Sequence, residues 1–92
     1  MEHNWEGINE FVAVAEAKSF TTAAKILGIS TAQVSRQVSR LEARISTKLF
    51  IRTTRKVVLT ELGTTFYHHC RRVLDGLTEA ENAITDLQNV IT

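Results

Sequence analysis

The segment from Phe20 to Ser39, FTTAAKILGISTAQVSRQVS, leaves the chain little choice of local structure. Gly28 stands between two stretches of helical periodicity, where a positive φ is needed and a Cβ would be penalised. Ala24 is small where two helices must cross closely. Ala23, Leu27, Ile29, Val34 and Val38 are apolar at positions that face a core. The pattern predicts two helices joined by a tight turn, a helix-turn-helix over 20–39. The other face of its second helix carries Gln33, Ser35, Arg36, Gln37 and Arg40, side chains suited to hydrogen bonding with base edges and phosphates.

The charges are sorted along the chain. Residues 1–17 hold Glu2, Glu6, Glu10 and Glu16 with no Lys or Arg, giving −4. Residues 18–56 hold nine basic residues (Lys18, Lys25, Arg36, Arg40, Arg44, Lys48, Arg52, Arg55 and Lys56) against Glu42 alone, giving +8. Residues 57–92 return to −3, so a formal net charge of +1 hides a strongly basic centre. Such a block is the electrostatic footprint of a polyanion-binding surface. A solvated face is the plainer fate of a charge run, but this block coincides with the helix-turn-helix, which favours double-stranded DNA as partner.

Around this unit the chain reads as one small, mainly α domain. Asn4 is a candidate N-cap for a first helix, with Glu6 in its first turn and Trp5, Ile8, Val12 and Ala15 at helical spacing beside Phe11. Ser19 or Thr21 suits the cap of the second helix, which ends at Gly28. Ser30 followed by Gln33 matches a capping box for the third, whose buried stripe is Val34, Val38, Leu41 and Ile45. Helical periodicity fails after Lys48. The β-branched run from Phe50 to Thr60 predicts a two-stranded hairpin, with strands near 50–53 and 57–59 around the basic triplet Thr54-Arg55-Lys56. A hairpin in that place is a wing. Residues 1–60 are thus expected to form a winged helix-turn-helix with its wing at 50–59.

Thr60 then caps a helix expected over 61–92, with Glu61 in its first turn. Phe66, Cys70, Val73, Leu77, Ala80, Ile84, Leu87 and Ile91 alternate spacings of four and three, a heptad pattern. Thirty-two helical residues span about 48 Å. The first turns, around Leu62 and Phe66, are expected to pack on their own domain. The distal half has too little domain beneath it, so the seam predicts a homodimer through this helix. Cys70 reads as a small seam residue, and a cross-link on oxidation is a second role for it.

In order and separation these residues resemble the N-terminal DNA-binding domain of a LysR-type transcriptional regulator. The resemblance covers nearly the whole chain: Phe11-Val12, Ala15-Glu16, Ser19-Phe20-Thr21, Ala23-Ala24, Leu27, Val34-Ser35-Arg36-Gln37, Leu41-Glu42, Leu49-Phe50, Arg52-Thr53, Leu59-Thr60 and Gly63. It implies a long linker helix that pairs two subunits. It also implies a C-terminal effector domain that this chain lacks, through which alone a small-molecule effector would act, and a higher oligomer is open to the full-length parent. Contact positions carry over to Thr31, Ala32, Ser35 and Arg36, and a minor-groove arginine to Arg55. The chain departs from the pattern at Lys18 and Ser46, where the family often has glycine. It departs again at Thr31-Ala32-Gln33, where Gln-Pro-Ala is common, so no base preference is inherited.

On this reading the third helix lies in the major groove of a pseudo-palindromic site. Arg36 suits either two bonds to a guanine edge or a phosphate clamp, and Ala32 and the Thr31 methyl suit a thymine methyl. Gln33 is either a capping-box residue or a base reader. Arg40 and Arg44 suit phosphate or solvent. Thr22 and Lys25, on the helix crossing the backbone, suit positioning of the duplex. Arg55 suits a narrow A·T-rich minor groove. Arg52, Thr53 and Lys56 complete the basic wing, with phosphate contact or a solvated face as alternatives for the two cations.

Other classes find little footing. No apolar run approaches membrane-spanning length, and MEHNWEG lacks the features of a signal peptide. A lone cysteine forms no internal disulfide and fits a reducing, cytoplasmic setting. His68, His69 and Cys70 diverge by about 100° per helical residue and do not converge on one ion, with His3 far off in sequence. No metal, cofactor or catalytic constellation is expected. The competing readings are a dimerisation or adaptor module whose helix-turn-helix face binds protein, and the recognition part of a recombinase whose catalytic residues lie elsewhere.

Overall fold

The computed structural model describes residues 5–91. Three helices, α1 (Ile8–Ala17), α2 (Phe20–Leu27) and α3 (Thr31–Arg44), are followed by β1 (Phe50–Arg52), β2 (Val57–Leu59) and a long helix α4 (Glu61–Ile91). The strands pair antiparallel, Phe50 with Leu59, Ile51 with Val58 and Arg52 with Val57. The expected winged helix-turn-helix is present, mainly helical and extended by α4. No helix among the described residues is long and apolar enough to cross a membrane.

The core is built where α1, α2 and α3 meet the wing. Phe11, Val14, Ala23, Val34, Val38, Leu41 and Leu49 are fully buried, and Ile45 is half-buried at the end of the α3 stripe. All four phenylalanines form one run. The Phe11 ring lies 5.3 Å from Phe50 and 5.3 Å from Phe66, and Phe20 lies 5.9 Å from Phe50. Aromatic contacts of this geometry add to their area burial, and these link α2, β1, α1 and α4 in a single packed line.

Glu42 is the one charged side chain of the described core. Its Oε2 accepts from the backbone N–H of Leu49 at 2.8 Å and of Phe50 at 3.3 Å, and Lys48 Nζ lies 3.9 Å from Oε1. The carboxylate thereby satisfies two amides at the entry to β1 that would otherwise be buried without partners. It also fixes the wing to α3.

Two expectations need correction. The Asn4 cap lies outside the described residues, and α1 does not start beside it. Trp5, Glu6 and Gly7 form a turn, Gly7 is the N-cap at φ 83°, and Trp5 is 60% exposed, outside the buried stripe. The cause is a close crossing: a Cβ on Gly7 would lie 2.9 Å from the Gln37 carbonyl oxygen. The second correction concerns Leu62. It is exposed, while α4 seats on the domain through Gly63, where a Cβ would collide with the Leu49 carbonyl. Thr60 Oγ1 accepts from Gly63 N at 2.9 Å and donates to the Lys48 carbonyl at 2.8 Å, so the expected cap also pins α4 to the segment before the wing.

Candidate nucleic-acid interface

The α2–α3 unit is set by its caps. Ser19 Oγ accepts from Thr22 N at 3.0 Å, and Ser30 Oγ accepts from Gln33 N at 3.0 Å. Gly28 closes α2 at φ 72°, its N–H bonded to the Ala24 and Lys25 carbonyls. Ala23 and Ala24 are buried where α2 crosses the core. Ser19 is the cap of α2, and Thr21 is not. The Ser30 half of the capping box is formed. Among the described residues the Gln33 side chain makes no hydrogen bond, which leaves its amide available outward.

At about 100° per residue, Arg36 stands nearly opposite the buried Val34–Val38–Leu41 stripe. Thr31, Ala32, Gln33, Arg36 and Arg40 are all exposed around it. Ser35 and Gln37 lie on the two flanks and are half-buried. Gln37 is on the flank against the start of α1, where its carbonyl meets Gly7. Ser35 is on the flank facing the wing. Thr22 and Lys25 are exposed on α2. Arg44, expected at phosphate or solvent, instead donates to the Glu6 carbonyl at 3.0 Å and braces the turn before α1.

The wing presents Thr54, Arg55 and Lys56 to solvent. Thr53, counted among the contact residues, is occupied in building the tip. Its hydroxyl accepts from Arg55 N at 3.3 Å and Lys56 N at 2.9 Å and donates to the Lys56 carbonyl at 3.3 Å. That exhausts a threonine hydroxyl. Arg52 is exposed but tied to the helices. Its Cζ lies 4.1 Å from the centre of the Phe20 ring, and its Nη1 donates to Ser35 Oγ at 3.2 Å. Sequence reading missed this tie and its platform, Phe20. The available signal was the strand period, which puts Arg52 on the same face as buried Phe50.

The seam residues divide. Phe66 is half-buried against Phe11, and Cys70 is buried in the chain's own core, so both already pack within the domain. Burial pushes the Cys70 thiol above its ordinary pKa, which disfavours the thiolate. Val73, Leu77, Ala80, Ile84 and Leu87 are exposed along α4. Ile91 ends the helix, and its side chain lies outside the described set. The exposed strip runs into a groove of about 240 Å³ lined by Trp5, Ile8, Phe66, His69, Cys70 and Val73. Among the described residues no group of three His, Cys, Asp or Glu side chains could hold a metal ion.

Residues 5–64 match the family model described as bacterial regulatory helix-turn-helix protein, lysR family. The chain is 43% identical over 89 residues to an HTH-type transcriptional regulator of Xanthomonas campestris pv. campestris, covering 97% of this chain and 26% of that protein. It is 42% identical over 85 residues to the regulator PtxR of Pseudomonas aeruginosa, covering 92% of this chain and 27% of that one. The chain thus spans about a quarter of the length of these curated relatives. Its structure is similar to the BenM DNA-binding domain in complex with benA site 1 DNA, with TM-score 0.82, 32% identity, and coverage of 88% of this chain and 91% of that one. It is also similar to the CbnR DNA-binding domain in its DNA complex, with TM-score 0.78, 32% identity, and coverage of 88% and 93%.

Proposed function

Because this chain belongs to the LysR family of bacterial helix-turn-helix regulators, as a non-enzymatic DNA-binding domain, we propose that it binds a pseudo-palindromic operator as a homodimer in the bacterial cytoplasm. In this reading α3 lies in the major groove and the wing beside the minor groove. The observation that carries it is the outer face of α3. Thr31, Ala32, Gln33, Arg36 and Arg40 are exposed, and among the described residues none spends its side chain on another part of the protein. Lys25 on α2 and Arg55 and Lys56 on the wing flank that face with further exposed cations. An adaptor surface has no need of so concentrated a positive field. Support for pairing comes from the apolar strip of α4 and its continuation into the Trp5 groove, a patch of the kind that marks an interaction site. Effector response and any higher assembly belong to the remainder of a longer parent.

Arg36 reads bases, Arg40 grips phosphate, and Arg55 reads minor-groove width. Binding to an operator library separates the three. Arg36→Ala relaxes base preference and costs about 1–3 kcal/mol. Arg40→Ala weakens all sequences alike and flattens the salt slope by about one. Arg55→Ala erases a flanking A·T preference and keeps the preferences read by α3. Unchanged base preference in Arg36→Ala together with unchanged flank preference in Arg55→Ala would defeat this placement.

A further inference from the structure

Among the described residues, Ser35 is the one hydroxyl of α3 that accepts a hydrogen bond from the wing. Arg52 Nη1 donates to its Oγ at 3.2 Å while the guanidinium lies over Phe20. A guanidinium has no acceptor, so this bond occupies a lone pair of Ser35 and leaves its O–H to donate elsewhere. Three hydroxyls of α4 fold back on their own helix: Thr64 donates to the Thr60 carbonyl, Thr78 to Leu74 and Thr85 to Glu81. Ser35 does not, and among the described residues its proton meets no acceptor. It is half-buried on the edge of α3 that faces the wing, one residue before Arg36.

We infer that Arg52 is a positioning residue that fixes Ser35 as a hydrogen-bond donor toward the major groove, and that the pair selects against cytosine at one position of the contacted strand. This rests on α3 lying in the major groove. There guanine offers N7 and O6, adenine N7 and thymine O4 as acceptors, whereas cytosine offers only its N4 donor. With one of its two lone pairs on Arg52 and that guanidinium's positive charge opposing a second donor beside it, a hydroxyl that points its proton at the groove favours the three bases that offer an acceptor over cytosine. Without Arg52 the hydroxyl is free to turn back on the helix or to accept from cytosine. Phe20 is part of the device, because stacking on its ring orients the guanidinium fork.

The test is selection of bound sequences from a random duplex pool, followed by affinity measurements on operators that differ at the selected positions. The proteins are wild type, Ser35→Ala, Arg52→Met, Arg52→Lys, the Ser35→Ala/Arg52→Met double variant, Phe20→Leu and, as a control, Arg36→Ala, each checked for its thermal midpoint. Wild type disfavours cytosine at one position by about five- to tenfold, the value of one well-placed hydrogen bond. Ser35→Ala and Arg52→Met bring that same position near parity, and the double variant goes no further. Arg52→Lys and Phe20→Leu lose part of the discrimination at that position only. If Arg36→Ala changes the selected motif while Ser35→Ala and Arg52→Met act at different positions, or lower affinity evenly across all sequences, the coupling is overturned and Arg52 is a phosphate contact. If no variant on α3, Arg36→Ala included, alters the motif, the major-groove placement itself fails. Should Arg52→Met and Phe20→Leu not fold, Arg52→Lys against Ser35→Ala decides by the same criterion.

Discussion

Four described residues have left-handed backbone, and only two of them are glycines. Gly7 and Gly28 take φ 83° and 72°, while Lys18 and Ser46 take 56° and 53°. The latter are the two positions where the family resemblance leads one to expect glycine, so these departures in the sequence coincide with the strained points of the fold. A left-handed residue with a Cβ costs about 1–2 kcal/mol, and glycine returns about 0.5–1 kcal/mol of that as lost chain entropy. Lys18→Gly and Ser46→Gly are each expected to stabilise the domain by up to about 1 kcal/mol in urea unfolding. A loss of stability at both positions would show that the side chains contribute more than the strain. Other residue roles were not legible. Glu42 reads in sequence only as one acid among nine bases, because nothing local announces that its carboxylate meets two amides seven and eight residues away. The further ties of Thr53 and Arg52 were not legible for a similar reason: both look like plain wing surface until the tip and the Phe20 ring are in place.

At the scale of elements the sequence was most informative where local chemistry decides. Ser19, Ser30 and Thr60 each supply an oxygen just before a helix, and all three act as caps. The hairpin lies within a residue of its expected bounds. The start of α1 was misjudged because a tertiary contact, Gly7 against Gln37, overrides the preference that made Asn4 attractive. The heptad in α4 was read correctly as apolar, but its period does not tell which turns face the chain's own core. Phe66 and Cys70 do, and the strip that remains outside begins at Val73. Pairing is therefore argued from the exposed strip and the groove it runs into. Leu77→Glu and Ile84→Glu, both at exposed seam positions, are expected to yield monomers with intact thermal unfolding, since a charge forced into a desolvated seam is costly. Sedimentation equilibrium checks this, and unchanged assembly in both variants would remove α4 as the pairing element.

In the whole molecule, the head and the long helix are also joined through polar contacts between α1 and α4. Glu16 of α1 accepts from the Tyr67 hydroxyl at 2.7 Å and from Arg71 at 3.1 Å, and Arg71 also pairs with Asp75 at 2.7 Å. The bond to Glu16, more than burial, raises the Tyr67 pKa above its ordinary value of 10.0. A raised pKa means that this contribution is complete below pH 10 and fades as pH climbs through the raised value. Tyr67→Phe is expected to shallow the alkaline decline of stability above pH 10 and to lower stability slightly below it. Urea midpoints between about pH 8 and 11 test this, and identical pH profiles for the two proteins would separate Tyr67 from the decline.

The line of phenylalanines from Phe20 to Phe66 has a mechanical meaning. Together with Gly63 seated on the Leu49 carbonyl, it leaves no soft layer between the reading face and the first turns of α4. A close-packed interior transmits displacement instead of absorbing it. On the proposed reading, a tilt imposed on the first turns of α4 reaches the DNA as rotation of the head in one piece. In a paired molecule the two helices act like the arms of callipers. If the proposed pairing holds, they set the separation and angle of two heads whose fingertips keep their shape, and control exerted through α4 would change which operator spacings can be spanned while leaving the base preferences of each half-site as they were.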